Sequence, residues 1–121
     1  MIRKFESKVV GVSFAPAYPA NLHALEEAAG RAFIKGEEGL AAILVRNPDN
    51  EFDENAIEVH VPAIGDEGMI GHLPRDLAAK LAPIIDDGMR WSGMVKSVYI
   101  NPDHPDRPGI AIVVEQADNT L

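Results

Sequence analysis

At 121 residues the chain has the length of one domain, able to bury roughly two-thirds of its unfolded surface. Its 46% hydrophobic content excludes a disordered tract, and its net charge of -8, from 19 acidic against 11 basic residues, excludes the broad basic face by which non-specific nucleic-acid binders neutralise phosphates. No cysteine is present and no apolar run approaches the ~20 residues of a membrane span, so disulfides, thiolate zinc sites and membrane helices are excluded and a reducing cytoplasm is the expected setting.

Met1 to Glu6 lacks the apolar segment of a signal peptide. The first expected strand is Lys8 to Phe14, with Val10, Val12 and Phe14 on one face. Ala15–Pro16–Ala17–Tyr18–Pro19–Ala20 breaks it, and Asn21 can cap a helix beginning there. Leu22, Leu25, Ala28, Ala29, Ala32 and Phe33 have helical spacing, which predicts a short helix over Asn21–Phe33, read as a lid on a barrel. After a turn at Lys35–Gly39, the apolar run Leu40–Arg46 predicts a strand buried on both sides.

The stretch Asn47–Pro48–Asp49–Asn50–Glu51–Phe52–Asp53–Glu54–Asn55 has the Pro, Asn and Asp of tight turns, with one large ring in its middle. From Ala56 the pattern becomes period-two, Ile57, Val59 and Val61 against Glu58 and His60, which is a half-buried strand. A turn at Gly65–Asp66–Glu67–Gly68 precedes a short strand, Met69–Leu73. Pro74 fits the first position of a helix with an apolar stripe of Leu77, Leu81, Ile84 and Ile85. Pro83 predicts a kink or a break in it, and Gly88 its end. Arg90–Ile100 is a long strand with a bend or bulge at Gly93, Asn101–Gly109 an exposed proline-rich loop, Ile110–Glu115 the last strand and Ala117–Leu121 a frayed tail.

Asp49, Glu51 and Asp53 imitate the first positions of a calcium loop, but Glu54 stands where its glycine belongs and His60 where its last carboxylate belongs. His23, His60, His72 and His104 lack metal spacing, and Ser13, Ser92 and Ser97 have no evident base. No metal, cofactor or catalytic machinery is therefore expected. What remains is a binding pocket.

Asp49–Asn50–Glu51–Phe52–Asp53–Glu54–Asn55–Ala56–Ile57, followed by Ile70–Gly71–His72–Leu73–Pro74–Arg75 and a Leu/Ala helix, resembles the HIRAN domain, over about residues 7–116 of a single domain spanning 1–121. The flanking Val9–Val10–Gly11–Val12 and Leu44–Val45–Arg46 fit the same pattern. The resemblance implies a mainly β fold, a small OB/SH3-like barrel of six strands with one or two short helices. It implies a non-catalytic module that recognises the 3′-hydroxyl end of single-stranded DNA, in repair, replication or phage DNA metabolism.

Carried over position by position, Phe14 and Phe52 would sandwich a base, Asp53 would accept from the terminal 3′-hydroxyl, His72 and Arg75 would hold phosphate, and Asn50 lies in the same turn. Read from the residues alone, Phe14 is equally a core residue and Asp53 equally a turn cap. Departures from the helicase-associated relatives are Ser13 in place of a basic residue, Phe52 in place of Tyr, and no clear match for an aromatic near the last strand, a region where Arg107 falls. The alternative expectation is a protein-interaction module that has lost DNA binding, with a helicase or nuclease as its partner.

Overall fold

The computed structural model describes residues 3–66 and 68–117. Glu67 of the expected turn and residues 118–121 of the expected frayed tail lie outside them. Six strands form one antiparallel sheet in the order β1-β6-β5-β2-β3-β4: β1 Lys4–Lys8, β2 Leu40–Arg46, β3 Ile57–His60, β4 Met69–His72, β5 Trp91–Asn101 and β6 His104–Gln116. Two helices accompany them, α1 over Ala20–Ile34 and α2 over Arg75–Asp86. The fold is the mainly β, OB-like barrel that the resemblance implied.

The curl of the sheet is completed just after β1. Val9 donates to the Ile110 carbonyl of β6 at 3.0 Å, while Val10 and His72 of β4 exchange backbone hydrogen bonds of 2.8 and 2.9 Å. Two residues thus span from one end of the strand order to the other, which satisfies backbone groups that an open sheet would leave at its edges. The interior is filled by Ile57 and Val59 of β3 and by Ile110, Ile112 and Val114 of β6, with Leu25 of α1 fully buried among the core. Gly71 on β4 is required where the closure happens. Its φ is +149°, and a Cβ there would come within 2.5 Å of the Val10 carbonyl oxygen.

The first strand is displaced from its expected position. Lys8–Phe14 is not a strand; β1 ends at Lys8, and Gly11 (φ +68°) turns the chain into a 3-10 turn at Val12–Phe14. That turn breaks the alternation, so Val9 and Val12 point inward while Phe14 is 91% exposed and not part of the core. Nor is Asn21 a cap: Pro19 holds that position, and the Asn21 side chain instead donates to the Met69 carbonyl at 3.1 Å. Phe33, next to last in α1, is exposed and not on its buried stripe. In β2 only alternate residues face inward, and Ile43 and Val45 lie on the opposite, more exposed face.

α2 runs unbroken through Pro83, which lies on its exposed face near the C-terminus, where a missing donor removes one hydrogen bond from the last turns. Gly93 pairs regularly with Ala42 and Val114; the register shifts instead between Val95 and Ser97 and between Tyr99 and Asn101. The stretch 101–109 is not a loop. It is a tight turn at Pro102–Asp103, with the Asp103 amide bonded to Asn101 Oδ1 at 2.9 Å, followed at once by β6. β1 pairs only with residues 111–115 of β6, so the proline-containing part of that strand is an edge, where an absent N–H is tolerated.

Candidate functional site

The polar turn between β2 and β3 is built by its own side chains. Asn50 Oδ1 accepts from the Phe52 and Asp53 amides at 2.9 and 3.0 Å. Asp53 Oδ1 accepts from the Asn55 amide at 2.9 Å, and the Asp53 carbonyl from the Ala56 amide at 3.0 Å. These are Asx bonds, in which a short side chain substitutes for a backbone turn. Their consequence is that the Phe52 ring is carried on a braced loop yet remains 80% exposed. Outside the turn, Asn47 Nδ2 donates to Glu58 Oε2 at 3.0 Å, and Glu58 Oε1 meets His60 Nε2 at 2.9 Å.

This turn forms one wall of a cleft of about 290 Å³. Asn50, Phe52, Asp53 and Ala56 line that wall; Val10, His72, Leu73 and Arg75 line the remainder. The closing bridge between Val10 and His72 therefore sets the cleft floor. His72 Nε2 is buried without a hydrogen-bond partner. Arg75, the first residue of α2, is exposed and makes no ion pair among the described residues. The second oxygen of Asp53 is likewise unengaged among them. One cleft thus brings together an exposed ring, and a carboxylate oxygen and a guanidinium without a partner among the described residues, beside an imidazole whose Nε2 is buried.

Of the six residues singled out in the sequence, Asn50, Phe52, Asp53, His72 and Arg75 line this cleft. Phe14 does not; its exposed ring stands on the 3-10 turn four residues beyond Val10. Val10, Ala56 and Leu73 also line it; they fall within the family motif, but an apolar residue beside a strand looks the same whether it faces a core or a cleft. Arg46 and Asp86, 40 residues apart, were also missed. They form a bidentate pair at 2.9 and 3.1 Å. The hydrogen bond to Asp86 raises the pKa of Arg46 above its ordinary value, and the same bond lowers that of Asp86. The described residues contain no cluster of His, Cys, Asp and Glu fit to hold a metal, and no helix among them is long and apolar enough to cross a membrane.

Comparison with known proteins agrees with this architecture. A family model described as the HIRAN domain matches residues 2–114. Two curated relatives, both Fanconi-associated nuclease 1 homologs, are 43% identical: the Arabidopsis thaliana protein over 56 residues and the Oryza sativa subsp. japonica protein over 60. Those stretches are 46% and 47% of this chain but 6% of each relative, so the chain spans a small part of the length of the proteins it matches. Among solved structures, the HIRAN domain of human HLTF is similar over 96% of this chain and 77% of that one, with 20% identity and a TM-score of 0.60. A Lactobacillus plantarum protein is similar over 97% of this chain and 100% of its own, with 18% identity and a TM-score of 0.61. The HLTF domain in its DNA-bound conformation gives 21% identity over 96% of this chain and 76% of that one, at a TM-score of 0.53.

Proposed function

The chain belongs to the HIRAN domain family, and from that premise we propose that its cleft is a non-catalytic binding site for the 3′-hydroxyl end of single-stranded DNA. The observation that carries this reading is the convergence of Phe52, Asp53, His72 and Arg75 on one cleft of about 290 Å³. The Phe52 ring offers a stacking face, worth roughly 1–3 kcal/mol per base and indifferent to base identity. The free oxygen of Asp53 accepts from a terminal hydroxyl. A carboxylate at that point also repels a phosphate, so an internal or 3′-phosphorylated position is disfavoured. Arg75 and the His72 ring, which lines the cleft although its Nε2 is buried, are proposed to hold the preceding phosphate, and Asn50 holds the turn in shape. Phe14 is proposed to close over the other face of the base from beyond Val10.

Support from relatives is of two kinds. The HLTF HIRAN domain has been solved in its DNA-bound conformation, and the curated relatives are Fanconi-associated nuclease 1 homologs. Participation in DNA repair or replication beside a nuclease or helicase is the corresponding proposal for this chain. The net charge of -8 and the exposed Asp49, Glu51 and Glu54 confine any nucleic acid to the cleft and its immediate neighbourhood. The same acidity favours a second reading, a protein-docking module without DNA affinity.

Fluorescence anisotropy at low salt separates the two readings. A 3′-hydroxyl oligonucleotide should bind well, and the same oligonucleotide with a 3′-phosphate, or a blunt duplex, much less well. Equal binding of the first two probes removes the proposal, and no binding of any probe favours the docking reading.

A further inference from the structure

Arg46 ends β2 with a side chain only 14% exposed. Its Nε and one Nη donate to the two carboxylate oxygens of Asp86 at 2.9 and 3.1 Å, and its other Nη donates to the Ala56 carbonyl at 2.9 Å. That carbonyl also accepts from the Asn47 amide at 3.0 Å, so it closes the base of the turn that carries Asn50, Phe52 and Asp53. Asp86 is the last residue of α2, and Arg75 the first. A single guanidinium therefore joins the root of one cleft wall to the helix that begins at the other. Its charge also lies close enough to Asp53 and Glu54 to offset part of the repulsion within the acidic turn.

We infer that Arg46 is a positioning residue for the cleft, holding the Phe52–Asp53 wall at a fixed separation from Arg75 through Ala56 on one side and Asp86 on the other. It touches no ligand itself. The inference rests on the proposed reading of the cleft as a strand-terminus site, because that reading needs the carboxylate and the guanidinium at a set spacing. Planar geometry is essential to the role. A fork that makes two parallel bonds to a carboxylate and a third to a carbonyl cannot be copied by an ammonium group, which is a point charge on a flexible stem.

Two measurements on the full chain test this. The first is amide hydrogen exchange in the free protein at Asn47 and Ala56, the two amides that bracket the turn. The second is the ratio of affinities for 3′-hydroxyl and 3′-phosphate oligonucleotides. Arg46→Gln should speed exchange at both amides and lower 3′-hydroxyl affinity by about tenfold, the usual scale for losing a hydrogen bond to a charged group. The ratio should narrow, because the 3′-phosphate probe gains nothing from correct spacing. Arg46→Lys should resemble Arg46→Gln more than the wild type. Should Arg46→Gln fail to fold, Asp86→Asn leaves the Ala56 contact in place and loosens only the tether to α2; a narrowed ratio is again expected. Unchanged exchange overturns the inference, and so does faster exchange with a wild-type ratio. If the wild type itself prefers neither probe, the binding reading falls and takes the positioning role with it, whereas a wild-type preference that Arg46→Gln leaves unchanged overturns the positioning role alone.

Discussion

Phe52 and Phe14 are both phenylalanines standing in water, at 80% and 91% exposure, yet they are held in different ways. The Phe52 turn is pinned by side chains, with Asn50 and Asp53 bonding three amides between them. The Phe14 turn is a 3-10 segment launched by Gly11, held by backbone bonds at 3.1 and 3.2 Å and without a side-chain cap. Exposure alone does not make a ring a binding element. A ring that is already placed loses little freedom when a ligand arrives, whereas one that must first be ordered costs roughly 0.5–1.5 kcal/mol. Phe52 lies on a cleft and Phe14 beside it, and the difference should appear in their energetics.

The most damaging change removes the frame from which both rings hang. Gly71→Ala forces a Cβ to within 2.5 Å of the Val10 carbonyl, at a φ of +149° that L residues avoid. Steric and backbone strain together should cost about 2–6 kcal/mol, by adding the usual ranges for overpacking and for a disallowed dihedral. Urea unfolding should show it as a lowered midpoint. A midpoint equal to the wild type would mean that the Val10–His72 bridge is dispensable, and the cleft floor with it.

Next in size is Phe52→Ala. Loss of a stack on a braced ring should weaken 3′-hydroxyl oligonucleotide binding by about 1–3 kcal/mol. Phe14→Ala should cost less, because part of that ring's stacking energy is offset by the ordering it requires. Equal losses in an anisotropy titration would show that the pinning of the Phe52 turn confers no advantage. Asp53→Asn sharpens the same comparison from the polar side. The amide oxygen still bonds the Asn55 amide, so the turn survives, while the negative charge that repels a 3′-phosphate is gone. The 3′-hydroxyl preference should shrink toward unity with stability nearly unchanged.

The contrast between the two rings also marks how far the sequence was legible. The Phe52 region was readable because its information is local. Asx-forming residues at fixed offsets determine the turn, and alternation determines the strand after it, whereas the grouping of His72 and Arg75 with Asn50, Phe52 and Asp53 comes from the family resemblance alone. The Phe14 region was misread because alternation continued on paper through Gly11. A glycine inside an apolar run is compatible with a strand, and only the tertiary need to bridge β6 and β4 decides that the chain turns there. The proline-rich stretch before Ile110 failed in the same way, since Pro was read as a breaker when an edge position tolerates it. The Arg46–Asp86 fork had no signal at all: a basic residue ending a strand and an acidic residue ending a helix are individually ordinary, and their pairing exists only once the barrel closes.

That fork gives the smallest effect, and its sign is set by the direction of the shift. Asp86 has its carboxyl held below the ordinary 3.8 chiefly by the hydrogen bond from Arg46. A group with a depressed folded-state pKa contributes stability that is fully present above its unfolded value and is lost as pH falls through the folded one. Arg46 stays charged throughout, so it adds no window of its own. Asp86 is 54% exposed, and solvent screening keeps the contribution at the scale of surface pairs. The difference in urea midpoint between wild type and Asp86→Asn should therefore be constant from neutral pH down to about pH 5 and shrink only at still lower pH. A difference that vanished near neutrality would overturn the assignment of the effect to the Asp86 carboxylate.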